Sequence, residues 1–168
     1  MPITASEFRN AMARLGAAVN VVTTAGVAGR GGFTASAVCS VTDAPPTLLV
    51  CLNQASRANA MFKANGVLCV NTLAADQRAL SDAFAGRGGL ANEARFALAR
   101  WSVLTTGAPV LDDAVVSFDC RIVDVVEKGT HSVLFAEIEA IKGGEDGAAL
   151  IWFARDYHPV GDPVGDAA

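Results

Sequence analysis

Along residues 19–24 and 116–122, polar and apolar side chains alternate with a period of two, the pattern of a strand with one covered face. Ahead of the first strand the period changes. Thr4-Ala5-Ser6-Glu7 has capping-box spacing, and Phe8, Met12 and Leu15 recur at helical intervals. This predicts an amphipathic helix from about Ala5 to Leu15, ended by Gly16. Thr47 to Leu52 is a nearly continuous apolar run behind Pro45-Pro46, suited to a strand buried on both faces. Ser56 then caps a helix through about Ala64, with Gly66 in the position that ends helices. Val67 to Thr72 reads as a strand and Asp76 to Phe84 as a short helix. Residues 85–95 hold three glycines and read as a mobile surface loop.

In the second half, the alternation that starts at Val116 slips phase at Val123. A one-residue slip turns side chains to the opposite face, so a bulge or strong bend is expected there. Glu127-Lys128-Gly129-Thr130 makes a turn, Val133 to Ile141 returns as a long strand, and Leu150 to Ala154 closes the sheet. Many short-spaced strands with few helices and no alternating strand–helix order predict a mainly β fold, an antiparallel barrel. Residues 1–160 form one domain in this reading, and residues 161–168 a frayed tail.

Two features of the first half bear on chemistry. The run Gly26 to Gly32 contains Gly-x-x-Gly-x-Gly, but a dinucleotide loop must open a helix whose N-terminus meets the pyrophosphate, and Phe33-Thr34-Ala35-Ser36 is strand-like instead. The glycines are therefore a hairpin. The strand that follows, Gly32 to Ser40, is too small and too polar for a strand made only to pack. It leaves room for something flat with polar edges.

Composition narrows the class. Hydrophobic residues make up 52% of the 168 and charged residues 18%, an apolar surplus without any run of the roughly 20 residues that span a bilayer. The surplus is read as a subunit interface in a cytoplasmic protein, with neither membrane nor secretory segment. A net charge of −4 with scattered basic residues excludes a nucleic-acid footprint, although Arg87, Arg95 and Arg100 concentrate positive charge enough for a local phosphate site. Cys39, Cys51, Cys69 and Cys120 lack the spacing of a zinc site and are read as core thiols, Cys51 being the one to watch. No metal site is expected. Ser56-Arg57 joins a hydroxyl, a cation and a helix start, the ingredients of a phosphate cradle, unless it is an ordinary cap followed by a solvated arginine. His131, at the late turn, is either a surface turn residue or a functional one. His158 has the weaker claim. Phe96, Trp101, Trp152 and Phe153 are read as packing aromatics.

Gly32 to Ser36, Ser40-Val41, Pro45-Pro46, Thr47 to Asn53 and Gly129-Thr130-His131 stand in the order seen in one family. From about Phe8 to Val160 the chain resembles the flavin reductases of split-barrel type, the reductase partners of two-component flavin monooxygenases. That resemblance implies a homodimeric, Greek-key split β-barrel that passes hydride from NADH or NADPH to FMN or FAD and supplies reduced flavin to a monooxygenase. It implies that Thr34, Ala35, Ser36 and Ser40 meet the flavin and that Cys51, Leu52 and Asn53 run past its pyrimidine end. Asn71 would orient the ribityl chain, Ser56 and Arg57 would hold phosphate, and Phe84 and Arg87 would border the site from the glycine loop. His131 would lie near the nicotinamide, and Arg155 and Tyr157 by the cofactor or the dimer seam. A tightly held flavin serving as an electron carrier, a reductase of a corrinoid or a metal, and a ligand-free interaction domain stand as alternatives.

Overall fold

The structure, a computed structural model, describes residues 1–144 and 147–161. The expected tail therefore lies outside the described residues except for Gly161. In chain order the elements are α1 (Ala5–Met12), β1 (Ala17–Ala18), β2 (Asn20–Gly26), β3 (Gly29–Ala35), β4 (Val38–Asp43), β5 (Pro46–Asn53), α2 (Arg57–Asn65), β6 (Val67–Thr72) and α3 (Arg78–Phe84). After a single turn of 3-10 helix at Arg87–Gly89 come α4 (Asn92–Phe96), β7 (Trp101–Val103), β8 (Pro109–Leu111), β9 (Val116–Lys128), β10 (His131–Gly143), β11 (Ala149–Phe153) and β12 (Asp156–Val160).

Seven strands form one antiparallel sheet in the order β3-β2-β6-β9-β10-β5-β4. Its two edge strands, β3 and β4, are consecutive in sequence and separated only by Ser36 and Ala37. Three peptide steps span at most about 11 Å, so the sheet has to curl until its edges meet. The result is a barrel with one unpaired seam, the split barrel expected from the sequence. Its interior is one apolar cluster drawn from both halves of the sheet, with Val22, Ala35, Leu48, Val50, Leu52, Leu68, Val70, Cys120, Leu134 and Ala136 all facing inward. Phe62 of α2 plugs one end and meets Phe33 edge-on at 5.2 Å.

A second core lies outside the barrel. Val19 and Val21 pack with Leu80 and Phe84 of α3, Phe96 of α4, Leu111 and Leu150. A separate sheet in the order β1-β11-β12 covers this layer, so the strand at Leu150 does not close the main sheet as expected. The glycine run has a packing purpose here as well as a turn. A Cβ on Gly31 would stand 2.6 Å from Met61 Sδ, and one on Gly32 would stand 2.9 Å from Phe84 Cε1 and 3.0 Å from the Val22 carbonyl. Only glycine lets α2 and α3 sit so close to β3.

Several sequence expectations hold in detail. Thr4 and Glu7 form the reciprocal capping box, Ser56 caps α2, and Gly66 ends it at φ +67°. The slip at Val123 is a bulge: Phe135 pairs with Asp124 and Ala136 with Ile122, leaving Val123 without a partner. Other expectations are corrected. The α1 helix stops at Met12, and Phe8, Met12 and Leu15 stay exposed, because nothing among the described residues covers that face. The Gly32–Ser40 stretch is two strands with a corner. The β5 strand buries Leu48, Val50 and Leu52 but leaves Leu49 and Cys51 half-covered on its outer face. Residues 85–95 are no loose loop, since α4 anchors them by burying Phe96 against Phe84 and Trp101. Of the four cysteines only Cys69 and Cys120 are core thiols, while Cys39 is exposed.

Asn71 is wholly buried and joins four elements. Its Nδ2 donates to the Val21 carbonyl at 3.0 Å and to Thr23 Oγ1 at 3.2 Å, and its Oδ1 accepts from Leu111 N and Ser117 Oγ, each at 2.8 Å. The sequence reading gave it the flavin's ribityl chain, but no hydrogen-bonding capacity remains for a ligand. Asn71→Ala leaves buried donors and acceptors unpaired, for a destabilisation of about 3 kcal/mol. In a domain of this size that lowers the thermal midpoint by about 6–12 °C. Thermal unfolding by circular dichroism measures it; a midpoint within about 2 °C of the parent's would contradict the structural role.

Candidate functional site

The corner between β3 and β4 is the centre of the candidate site. Val38 N donates to the Ser36 carbonyl at 3.0 Å, so the chain turns within Ser36 and Ala37, and both side chains are exposed. Cys51 N donates to the Ala37 carbonyl at 3.0 Å, which seats the corner beside the end of β5. Asn53, two residues further on, is the register partner of His131 at the start of β10. The seam therefore places the small-residue strand, the end of β5 and the late turn along one line.

On one side of the corner is a cleft of about 170 Å³ lined by Val19, Thr34, Ala35, Ser36, Ser81 and Arg87, with Trp152 and Tyr157 as its aromatic wall. Trp152 and Tyr157 meet edge-to-face at 4.9 Å. Such a slot suits a planar ring. Its polar wall is already connected: Thr34 Oγ1 donates to the Ser81 carbonyl at 2.6 Å, Ser81 Oγ and Tyr157 Oη lie 2.9 Å apart, and Tyr157 Oη donates to Asp82 Oδ1 at 2.8 Å. The same Asp82 oxygen receives Arg87 at 2.8 Å. Partial burial raises the Tyr157 phenol above its usual range, and the Asp82 carboxylate adds to this, so the hydroxyl stays a donor. Thr34's hydroxyl is engaged by α3, which leaves a ligand its backbone and the open space beside it.

On the other side stands the N-terminus of α2. Ser56 Oγ accepts from Ala58 N at 3.3 Å, and Asn53 Oδ1 accepts from Ala55 N at 2.8 Å, so Asn53 shapes the turn into the helix. Arg57 is exposed and makes no ion pair among the described residues. A helix N-terminus, a hydroxyl and an uncommitted guanidinium together fit a phosphate group. The other arginines do not gather as the sequence suggested: Arg87 binds Asp82, Arg95 donates to the Leu90 carbonyl, and Arg100 pairs with Asp113.

His131 is exposed, with Nδ1 2.9 Å from Thr130 Oγ1, and Nε2 makes no hydrogen bond among the described residues. His158 only packs on Phe153 and contacts its carbonyl at 3.1 Å, within its own hairpin. Arg155 turns away to Asn10 of α1. Ser40 lies exposed on edge strand β4 and Cys51 is half-buried on the sheet's outer face, so neither lines the cleft. Leu52 and Phe84 are withdrawn from the site, Leu52 into the barrel and Phe84 into the second core. Burial pushes the Cys120 thiol up to about 12 and that of Cys69 higher still, which leaves both as inert packing groups.

Sequence reasoning missed Ser81 and Asp82. Two polar residues inside Leu80-Ser81-Asp82-Ala83-Phe84 were the available signal, because a packing helix with that spacing has no need of them on its covered side. A larger cleft between Ala74–Gln77 and Asp112–Val115 offers Asp76, Asp112 and Asp113, of which Asp112 pairs with Lys142 and Asp113 with Arg100.

A split barrel with a ring-sized cleft at its seam and a helix N-terminus beside it is a fold class suited to binding a planar ring that carries a phosphate. The chain belongs to the family described as flavin reductase like domain, which matches residues 12–161. It is 58% identical over 164 residues to the FMN reductase (NADH) RutF of Ancylobacter novellus, spanning 97% of this chain and 90% of that protein. The solved structure of a flavin reductase from Haemophilus somnus superposes with a TM-score of 0.90 at 49% identity, covering 94% of this chain and all of the other. A nitrilotriacetate monooxygenase component B homologue from Mycobacterium thermoresistibile is more distant, at a TM-score of 0.84 and 25% identity over 92% of this chain and 86% of that one.

Proposed function

We propose that this flavin reductase oxidises NADH and reduces FMN, which then leaves for a flavin-dependent monooxygenase. The observation that carries the proposal is the 58% identity, over nearly the whole chain, to a protein named for that reaction. The monooxygenase finds support in the component B relative. FMN and NADH supply the redox chemistry: the nicotinamide C4–H bond breaks, a bond to flavin N5 forms, two electrons pass, and a solvent proton completes the reduced flavin.

The chain's own residues bind and align. Ser36 and Ala37 keep the seam open to a ring, and Ser56 with Arg57 receives the phosphate. His131, its Nδ1 held by Thr130, offers Nε2 to the nicotinamide carboxamide. Holding the reacting atoms at about 3–3.5 Å is the main catalytic contribution such a site makes. Phe84 acts indirectly, by setting α3 against Gly32. Residues 1–160 serve as the one functional domain, and a cytoplasmic location agrees with the free Cys39 thiol and the use of NADH.

We further propose a homodimer. The register puts Cys39, Leu49 and Phe135 in one row and Cys51, Val133 and Val126 in the next on the outer face of β4, β5, β10 and β9. That apolar face suits a second copy. Sedimentation equilibrium is expected to give twice the 17.3 kDa chain mass; a protein that stays monomeric at micromolar concentration contradicts the proposal.

Mixing the purified protein with FMN and NADH tests the activity through the fall in absorbance at 340 nm. No oxidation above the flavin-only blank rejects it. His131→Ala is expected to raise the KM for NADH about tenfold while changing kcat little, the mark of a lost binding contact. Unchanged kinetics would return His131 to a turn residue. Ser36→Leu fills the corner and is expected to weaken FMN binding at least about a hundredfold, read by flavin fluorescence, with the thermal midpoint retained. Parental affinity in that variant would place the flavin elsewhere.

A further inference from the structure

The tip of the β9–β10 hairpin is tied to the rest of the molecule by a set of side chains that the proposed chemistry does not use. Glu127, near the end of β9, accepts through Oε2 from Gln54 Nε2 at 2.6 Å and from Ser132 Oγ at 2.8 Å, and its Oε1 receives Lys63 of α2. Gln54 Nε2 also reaches the carbonyls of His131 at 3.2 Å and Gly129 at 3.4 Å, while Gln54 N donates to the Thr130 carbonyl at 3.0 Å. Ser132 is wholly buried and accepts from Asn59 Nδ2 of α2 at 2.9 Å. Every residue of the Gly129–His131 turn is thus held through its main chain by Gln54. Gln54 in turn sits two residues before the α2 cap, Ser56.

We propose that Gln54 and Glu127 are positioning residues that fix the His131 turn relative to the Ser56–Arg57 end of α2, and so set the alignment of the nicotinamide against the flavin. The inference rests on the function proposed above. Strand register needs no such clamp, because β10 already pairs with β9 along its length and with β5 over His131–Glu137, and Leu134 and Ala136 are locked in the barrel. What the backbone ladder leaves free is the Gly129–Thr130 tip, which ends four positions before Leu134, the first residue of β10 in the barrel's apolar cluster. Gly129, at φ +57°, and Thr130 form a two-residue loop with no side chain in the core. Hydrogen bonds from a neighbouring loop are what hold such a tip to a fixed position. The Lys63 and Ser132 contacts keep the Glu127 carboxyl below its ordinary range, so it remains an ionised acceptor. Neither Gln54 nor Glu127 lines the cleft, so each acts only through the turn.

Steady-state kinetics of Gln54→Ala, Glu127→Ala and the double variant test this, with FMN affinity and thermal midpoint measured on the same preparations. Each single variant is expected to lose about tenfold in kcat/KM for NADH, since a displacement of a fraction of an ångström at a hydride-transfer site costs on that order. The double variant is expected to lose no more than the worse single one, because both residues act through the same turn. Glu127→Gln, which keeps an acceptor oxygen, is expected to recover most of the loss, and FMN affinity to stay within about twofold throughout. The primary isotope effect with 4-deuterated NADH is expected to rise in the alanine variants, a readout that general loosening of an exposed hairpin would not move. Parental kcat/KM in both single variants, fully additive losses, an unchanged isotope effect, or FMN affinity falling in step with NADH efficiency each overturns the clamp. A parent protein without NADH:FMN activity overturns the proposed function itself, and the clamp with it, a result distinct from an active parent with indifferent variants.

Discussion

The closure of a seven-stranded sheet on itself through two residues is the constraint on which the rest depends. Because β3 and β4 are the opposite edges of one sheet and only Ser36 and Ala37 separate them, their ends are adjacent whatever the side chains prefer. The edges meet without pairing, and an unpaired seam has backbone groups facing outward. Ser36 and Ala37 are exposed at the corner, so a bulky residue there would cover the seam. Small residues at the corner therefore leave the cleft beside them open. The same closure brings the end of β5 against the corner and, through β5, the start of β10. A site assembled this way needs no dedicated loop.

Rigidity follows from the two cores on either side of β2. Val22 points into the barrel while Val21 faces the outer layer, so the strand beside the seam is packed from both sides. Buried polar hubs then fix how the layers sit. Asn71 ties β8 to β2, β6 and β9, and Asp119, wholly buried on β9, accepts from Thr106 N at 2.8 Å and from Thr106 Oγ1. Directional bonds with no alternative partners specify one arrangement, where apolar contact alone would allow sliding. The exposed ion pairs add little by comparison, because solvent screens them.

The sequence exposed the elements whose cause is local. The capping box at Thr4, the cap at Ser56, the stop at Gly66 and the bulge at Val123 each follow from a few adjacent residues, and each is present. What failed was decided by distant partners. Asn71 reads as a strand-end asparagine until β8, thirty-eight residues away at its nearest, is laid against it. Phe84 stands next to a glycine loop in sequence but faces Phe96 and Trp101 in space. The exposure of Phe8, Met12 and Leu15 is invisible to periodicity, which reports that a face is apolar and not whether anything covers it. The candidate site divides in the same way. Ser36, Ser56, Arg57 and His131 carry their chemistry in their own neighbourhood, whereas the Ser81–Tyr157–Asp82–Arg87 chain joins residues up to seventy-six positions apart.

Hydride transfer between two bound rings asks for very little chemistry from a protein and a great deal of geometry. No buried acid, shifted histidine or activated thiol is needed, and among the described residues the strongly shifted groups, Cys69 and Cys120, are inert core thiols. The groups of the proposed site instead sit at the ends of elements: Asn53 at the end of β5, Ser56 at the start of α2, His131 at the start of β10. Element ends are normally the loosest parts of a fold. Here each is backed within three residues by a buried side chain, Leu52 behind Asn53, Asn59 beyond Ser56 and Leu134 beyond His131, with Asn59 bridging Leu52 to Ser132. The barrel thus lends its interior order to its rim. That lets a small protein hold the ends of β5 and β10 and the start of α2 in fixed relation while Asn53, Arg57 and His131 stay exposed.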